Sequence, residues 1–590
     1  MIPVARPDLS VRRSLTGRTW VDPVHDYADT ALRALCQRLG ISEGLGRILA
    51  FRKLMDENAA QSFLNPAATQ FHEPELMLGM REAVQRLVFA VERYEKIVIF
   101  GDYDVDGTSA AAILFSYLKR LGARVAFFIP HRITDGYGFS PTALREIEAS
   151  GASLLVTVDF GSTEINAPAL LRRIGVDLIV TDHHQLGPQR PEAAALVNPQ
   201  QPGCPYPFKG LSAAGVAYKV VCALDRRLTE NNFWERRGIC HTAPAYYLDL
   251  VALATVADMS PLVGENRALV KLGLDAINNQ PRPGLAGLMR ECGVRGPVTA
   301  GTISFKLAPK INALGRIGDP RLGVQLLLAH SYTEARRIAR HMVELNRERQ
   351  EIERRVFLNA LLQAEAMGDR PALVLVGGDW HPGVLGSIAA RVAIQTGKPT
   401  VVLTLSQQPQ VLGSARGSDG FNVLSILEAC APLLARFGGH PGAAGLALDP
   451  ANLADFTHTF ASAAEHAGAH STRRGPPPLE IETWVEADFL THEFVEEVSR
   501  LSPFGYRNPE PVLAVRGVAL DNPSVFHERH LRFSVVCPGG QNLDAFAWDH
   551  SAWEIRPSAR YDIAFMPQLY GGGAGSSRAQ VKVVDMMASE

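Results

Sequence analysis

The 590-residue chain is several times the ~100–200 residues of an ordinary domain, so several separately cored units are expected. No stretch approaches the ~18 apolar residues of a membrane span, and the basic start MIPVARPDLSVRRSLTGRTW lacks the apolar block of a secretory signal; a soluble, cytoplasmic protein is expected. The seven cysteines stand singly with no CxxC, against a disulfide framework or thiolate zinc site, and the net charge of −2 gives no general pull toward polyanions, so any nucleic-acid site has to be local.

After an N-terminal segment, 1–80, short apolar runs alternate with helical patterns: KIVIF (96–100), SAAAILFSYLKRL (109–121), VAFFI (125–129), SLLVTV (153–158) and DLIVT (177–181). Strands so continuously apolar suit a parallel sheet buried on both faces, which predicts an open α/β domain over 81–330. Ligands of such sheets bind beyond the carboxyl ends of the strands. From Ser331 to about Ala366 there is no Pro or Gly and the sequence is dense in Arg and Glu, which predicts one helix of roughly 54 Å in a connecting segment, 331–368. ALVLV (372–376), a helix around 384–396, TVVLTL (400–405), a helix around 422–436 and GLALD (445–449) then predict a second, smaller α/β domain, 369–465. The Gly/Ser/Arg/Pro linker HAGAHSTRRGPPP precedes a β-rich segment, 479–590. Its runs HLRFSVV (530–536), LDAFAW (543–548), YDIAFM (561–566) and AQVKVV (579–584) predict a small OB-like β-barrel. The fold class is α/β multidomain with a C-terminal barrel.

The residues that follow the first-domain strands carry the chemistry. KIVIF runs into GDYDVDGTS, where Asp102, Asp104 and Asp106 alternate and would repel one another without a cation. A calcium loop of EF-hand type needs a Glu at its twelfth position, where Ile113 stands, and a helix before it, where a strand stands. The next run ends at Asp159, the one after at Asp182, His183 and His184, and YYLDLVALATVAD ends at Asp258, where a helix C-terminus disfavours a carboxylate unless a cation is near. Asp and His without thiolate suit Mn²⁺ or Mg²⁺, and so many carboxylates can hold two ions, the arrangement used for hydrolysis of phosphoesters.

GDYDVDG, TVDFG and VTDHH, followed by VADMSPL, resemble the DHH phosphoesterases. SAAGVAY (212–218), PKINALGRIGD (309–319), LNRERQ (345–350), GGDWHPGVLGSIAAR (377–391), GSARG (413–417) and GGHPGAAGL (438–446) continue in the order of that family's single-strand exonuclease branch. The resemblance implies Asp102, Asp104, Asp159, His183 and Asp258 as ligands of two divalent ions, Mn²⁺ or Mg²⁺, with Asp159 bridging and Asp106 and His184 beside them. His184 ranks below His183, because adjacent strand residues point to opposite faces unless a turn intervenes. It also implies Arg132 and Arg316 as phosphate anchors on the first domain, and Arg391, Arg416 and His440, with Gly438 and Gly439, gripping the nucleic-acid end from the second. In the barrel Phe526, Phe533, Phe546 and Trp548 are candidate stacking platforms for bases.

The activity implied is a single-stranded-DNA-specific 5′→3′ exonuclease that releases 5′-mononucleotides in DNA recombination and repair. A single-strand-binding protein and a helicase are implied as partners, and a monomer is expected. A DHH hydrolase of short oligonucleotides or cyclic dinucleotides, and an inactive single-strand-binding scaffold, are the alternatives. Phe160 and Gly417 depart from the family pattern, which commonly has Asn and Ser there; loss of the hydroxyl at 417 is expected to weaken phosphate binding, and activity is expected to survive.

Overall fold

The computed structural model describes residues 14–24, 27–131, 135, 138–406, 409–418, 420–468, 477–537, 542–556, 559–571 and 578–589. The N-terminal helices α1 (Asp29–Leu39), α2 (Glu43–Phe51) and α3 (Glu57–Leu64) pack far along the chain: Leu32, Leu45, Ile48 and Leu49 share one apolar cluster with Val515, Phe533 and Phe565 of the C-terminal barrel. Ahead of them, Thr16 Oγ1 and Trp20 Nε1 donate to the buried carboxylate of Asp585 at 2.7 and 2.9 Å, and Trp20–Val21 pairs in parallel with Leu479–Glu480.

The first domain is a five-stranded parallel sheet of β1 (Lys96–Gly101), β2 (Arg124–Phe128), β3 (Leu154–Val158), β4 (Asp177–Thr181) and β5 (Ala195–Val197), in the order β2-β1-β3-β4-β5. All five residues of β3 are buried, as its unbroken apolar run requires. Helix α4 (Val105–Arg120) follows β1 and packs against α5 (Ala213–Glu230) and α6 (Leu248–Ala257); its buried Ala110, Ala111 and Ala112 let these helices approach closely. Helices α7 (Gly264–Asn279) and α8 (Ala308–Ile317) complete the part of this domain that bears on the site.

The connecting helix α9 runs Tyr332–Ala366, capped by Ser331 Oγ, which accepts from the Glu334 amide. It serves two cores in succession. Ala335, Ile338, Ala339 and Met342 join the first-domain cluster, whereas Val356, Ala360 and Ala364 join Leu373, Trp380 and Ile388 of the second domain.

The second domain has the mixed order β9-β10-β8-β7-β6, from β6 (Leu373–Gly377), β7 (Thr400–Thr404), β8 (Val411–Arg416), β9 (Leu434–His440) and β10 (Ala443–Leu448), with helix α10 (Leu385–Thr396) against it. The helix expected over 422–436 is shorter, Val423–Ala429; Pro432 cannot continue it, and the chain turns into edge strand β9.

The barrel closes as β11-β12-β13-β15-β14 and back to β11, from β11 (Leu513–Phe526), β12 (His530–Val536), β13 (Asn542–Ala547), β14 (Arg560–Tyr570) and β15 (Arg578–Ala588). Strand β11 was not expected, because Asn522–Pro523 reads as a turn. The register shift between Asp521 and Ser524 accommodates that proline as a bulge.

Candidate metal centre

The first sheet reverses its winding between β1 and β3, and a sheet of this order opens its ligand crevice at that switch. Backbone pairing runs one residue past each strand: the Asp102 amide donates to Val158 O at 3.4 Å, Asp159 to Thr181 O at 3.1 Å and Asp182 to Val197 O at 3.0 Å. Three aspartates thereby stand side by side on the carboxyl edge.

Local sequence explains how each is aimed. Asp104 caps α4, its Oδ1 accepting from the Asp106 and Gly107 amides at 2.9 and 3.0 Å. A Cβ at Gly107 would lie 2.5 Å from Asp102 O, so only glycine lets the loop fold back on itself. Asp106 is fully buried and accepts from the Ala213 and Ala214 amides at the start of α5, at 2.7 and 2.8 Å. Asp159 sits at φ 69°, a left-handed conformation that costs a non-glycine residue ~1–2 kcal/mol and marks a position held by its surroundings. Phe160 turns the other way, into a cluster with Phe100 and Phe139, so the departure at 160 fills core rather than site. Asp258 is the C-cap of α6, and Ser260 Oγ donates to its Oδ2 at 2.6 Å.

Both histidines face the cluster. Strand β4 ends at Thr181, and the turn beyond it sets His183 Nε2 at 3.1 Å and His184 Nδ1 at 3.9 Å from Asp159 Oδ1, with His183 the nearer and the more buried of the two. Asp182, named in the motif and left out of the expected ligand set, builds that turn. Its Oδ1 accepts from the His183 and His184 amides and from His184 Nδ1 at 2.8 Å, while its Oδ2 accepts from the Ser162 amide. Asn198, directly after β5, braces the turn from behind by donating to His184 O at 2.9 Å. Asn312 Oδ1 accepts from the Val105 amide at 3.2 Å, and Gly315 lies against Tyr103, so α8 seats the acidic loop from the other side.

Three groups of potential ligands result, each with donor atoms within 4.8 Å of one another: Asp102, Asp104 and Asp159; Asp159, His183 and His184; Asp106, His183 and Asp258. Asp159 and His183 each belong to two groups. Burial, then Asp104 and Asp106, push the Asp159 carboxyl well above the usual range; burial, then Asp258 and Asp104, do the same to Asp106; and burial raises Asp258. Burial lowers His183. Burial alone would raise Asp182, but His184 brings it down to about 2; burial alone would lower His184, but Asp182 holds it at about 9. Buried oxygen and imidazole donors that cannot all ionise together are what hard divalent cations fit.

Two expectations follow. Carboxyls raised in the folded protein hold protons that a cation must displace, so Mn²⁺ affinity rises with pH as Asp159, Asp106 and Asp258 ionise. Because their folded pKa values lie above the unfolded ones, these groups favour the metal-free fold at low pH and lose that contribution as pH rises through the folded values. Calorimetry in buffers of different ionisation enthalpy should register proton release on Mn²⁺ binding, and buffer-independent heats would contradict this. Asp182→Asn replaces one acceptor of the turn with a donor and should weaken Mn²⁺ binding ~10–100-fold in a direct titration.

The anchors expected beyond the cluster are brought together in part. Arg316 ends α8 one turn after Asn312. Arg416, Ala443 and His440 form one rung across β8, β10 and β9, so Arg416 and His440 share a face. A Cβ at Gly386 would lie 2.8 Å from Arg416 Nη2; this glycine, not singled out from sequence, leaves the guanidinium its space. Arg391 is exposed and lies over the Phe357 ring at 3.8 Å. Gly439 needs its φ of 152°, where a Cβ would meet Ala443 O at 2.3 Å, whereas Gly438 faces open space. A Cβ at Gly417 would lie 2.7 Å from Phe421 O, so the family's serine does not fit this turn. Arg132 lies outside the described residues.

Phe533 corrects the stacking set: it is 1% exposed and fills the barrel core. Trp548 is 47% exposed and joins half-buried Phe526, at 5.7 Å between ring centroids, and Phe546 in a surface cluster, with Arg532 over Phe546.

Comparison with known proteins gives the family. Family models match in chain order: the DHH family N-terminal domain over 96–255, the DHHA1 domain over 369–466 and the RecJ OB domain over 481–585. The single-stranded-DNA-specific exonuclease RecJ of Bacillus subtilis is 35% identical, covering 90% of this chain and 66% of its own length. That of Salmonella typhimurium is 33% identical, covering 82% and 87%. The crystal structure of Thermus thermophilus RecJ in complex with Mn²⁺ superposes with a TM-score of 0.79 at 28% identity, covering 97% of this chain and 80% of that one. With three family models matched in succession and 33% identity over 87% of the Salmonella typhimurium protein, the chain belongs to the RecJ family of DHH proteins.

Proposed function

We propose that this chain is a single-stranded-DNA-specific 5′→3′ exonuclease that releases 5′-mononucleotides by two-metal phosphodiester hydrolysis. The observation that carries the reading is the set of overlapping ligand groups at the sheet's switch point, with Asp159 common to two of them. Asp102, Asp104, Asp159, His183 and Asp258 are the proposed ligands, with Asp106 and His184 completing the groups. Two divalent cations, Mn²⁺ or Mg²⁺, supply Lewis acidity there when bound, activating water and offsetting charge at the scissile phosphate.

The chain's own groups do the rest. Asp104 and Asp182 hold the two motif loops rigid through backbone amides. His184, whose Nδ1 is held by Asp182, is placed to present its other ring nitrogen to a phosphate oxygen. Arg316 and the Arg416–His440 rung bind the terminal phosphates from two domains, and the Phe526–Phe546–Trp548 cluster stacks bases further along the strand.

DNA recombination and repair as the setting, a single-strand-binding protein and a helicase as partners, a monomeric state and a cytoplasmic location belong to the same proposal. Among the described residues no helix is long and apolar enough to cross a membrane. A labelled strand should be degraded alone and protected in a duplex; equal degradation would overturn the specificity. Trp548→Ala should weaken single-strand binding by ~1–3 kcal/mol without changing thermal stability. Phe533→Ala should instead cost ~3–5 kcal/mol of stability. Anisotropy titration and thermal melting separate the two outcomes.

A further inference from the structure

The long helix α9 reads in sequence as a charged strut, yet Glu353 in its middle is only 12% exposed. Donors from three parts of the molecule converge on its Oε1. Arg349 Nη1, one turn earlier on α9, lies at 2.5 Å; Ser387 Oγ, on α10 of the second domain, at 2.6 Å; and Arg316 Nη1, on α8 of the first domain, at 3.7 Å. The first two are hydrogen bonds. The third is an ion pair at longer range, and the Arg316 side chain is 35% exposed. Arg349 is itself fixed, its Nε and Nη2 donating to Oδ1 of buried Asn346 at 3.3 and 3.2 Å.

The same junction touches the second domain's anchor. The turn before Ser387 presses on Arg316, since a Cβ at Gly383 would lie 2.2 Å from Arg316 O. Gly386, beside Ser387, borders the Arg416 guanidinium. One turn beyond each partner, Arg391 of α10 lies over Phe357 of α9, so the two helices clasp at two successive levels.

We infer that Glu353 is a positioning residue that aims Arg316 at the terminal phosphate and keeps it in register with Arg416, because one buried carboxylate joins α8, α9 and α10. A half-buried ion pair contributes little net stability against its desolvation, but it holds geometry. The inference rests on the proposed function, in which Arg316 binds the phosphate.

A double-mutant cycle of Glu353→Gln and Arg316→Ala tests it on the full chain with 5′-phosphorylated single strands. Glutamine keeps an acceptor for Ser387 and removes the charge. Glu353→Gln should raise KM about tenfold with kcat within about twofold, and add nothing in the Arg316→Ala background. Glu353→Asp, which keeps the charge on a shorter arm, should recover part of the loss. An unchanged KM, additive effects of the two substitutions, or a KM change that tracks a lowered melting temperature would overturn the inference. Anisotropy of a 5′-phosphorylated oligothymidylate in Ca²⁺ reads the same cycle without turnover. A wild type inert as a nuclease would therefore overturn the proposed function, while the binding cycle still decides the role of Glu353.

Discussion

Asp159→Ala is expected to lower turnover of single strands by at least about 10⁴-fold while leaving the fold intact. No other aspartate of the centre belongs to two of the ligand groups, so its loss degrades two positions at once. Stability should survive for a separate reason. The wild-type carboxylate is buried beside Asp102, Asp104, Asp106 and Asp258, and removing it relieves that repulsion in the metal-free protein. Alanine adopts the left-handed φ of 69° less readily than aspartate, so the exchange adds a small backbone cost against that relief. The metal-free variant should melt at or above the wild-type temperature, bind fewer Mn²⁺ per chain, and show no stabilisation by Mn²⁺ comparable to the wild type's. Turnover within tenfold of wild type would place the chemistry elsewhere.

Arg267→Met should have the largest effect on stability, about 3–5 kcal/mol. Arg267 leaves α7 of the first domain and donates to carbonyl oxygens alone: Nε to Phe63 O at 2.8 Å, Nη1 to Leu501 O at 2.8 Å, and Nη2 to Arg500 O and Ser502 O at 3.0 and 2.8 Å. Its guanidinium also lies 3.9 Å above the Phe63 ring. One side chain thus ties the N-terminal helices, the first domain and the approach to the barrel. Burial, reinforced by Arg52, pushes its pKa down to about 9, the mark of a cation met by dipoles. Methionine keeps the apolar stem, stops short of the guanidinium position and strands those carbonyls. A neighbouring cavity of about 460 Å³, bordered by Phe51, Leu54, Phe63 and Val263, admits water to part of the gap, which keeps the cost from rising further. Arg267→Lys, with three donors, should fall between the two. Denaturant midpoints and limited proteolysis ahead of Leu513 are the measurements; a methionine variant with the wild-type midpoint would contradict the account.

How much of this was legible in the sequence depended on whether a residue's role is set by its neighbours in the chain or by partners brought from afar. Asp102, Asp104, Asp159 and His183 follow unbroken apolar strands, so their position at a sheet's carboxyl edge could be read directly. Asp182 sits in the same motif, but its work is to accept amides from a turn whose shape the sequence does not state. That turn also lets His184 face the same way as its neighbour His183, because the strand has already ended at Thr181. Glu353 lies in RERQEIERR, which reads as a solvated face until α8 and α10 are seen to close over it. In the barrel, Leu531, Phe533 and Val535 mark the inward face by alternation, so the burial of Phe533 was readable from the pattern. Strand β11 was hidden by Pro523, which a bulge tolerates, and the helix over 422–436 was overextended past Pro432.

The most direct test of the central claim is Mn²⁺-dependent digestion of one single strand carrying a label at its 5′ end or at its 3′ end, with wild type and Asp159→Ala in parallel. The account predicts immediate release of labelled mononucleotide from the 5′ end, late release from the 3′ end, and neither with the variant. Strands left intact by the wild type, or release that begins at the 3′ end, would contradict it.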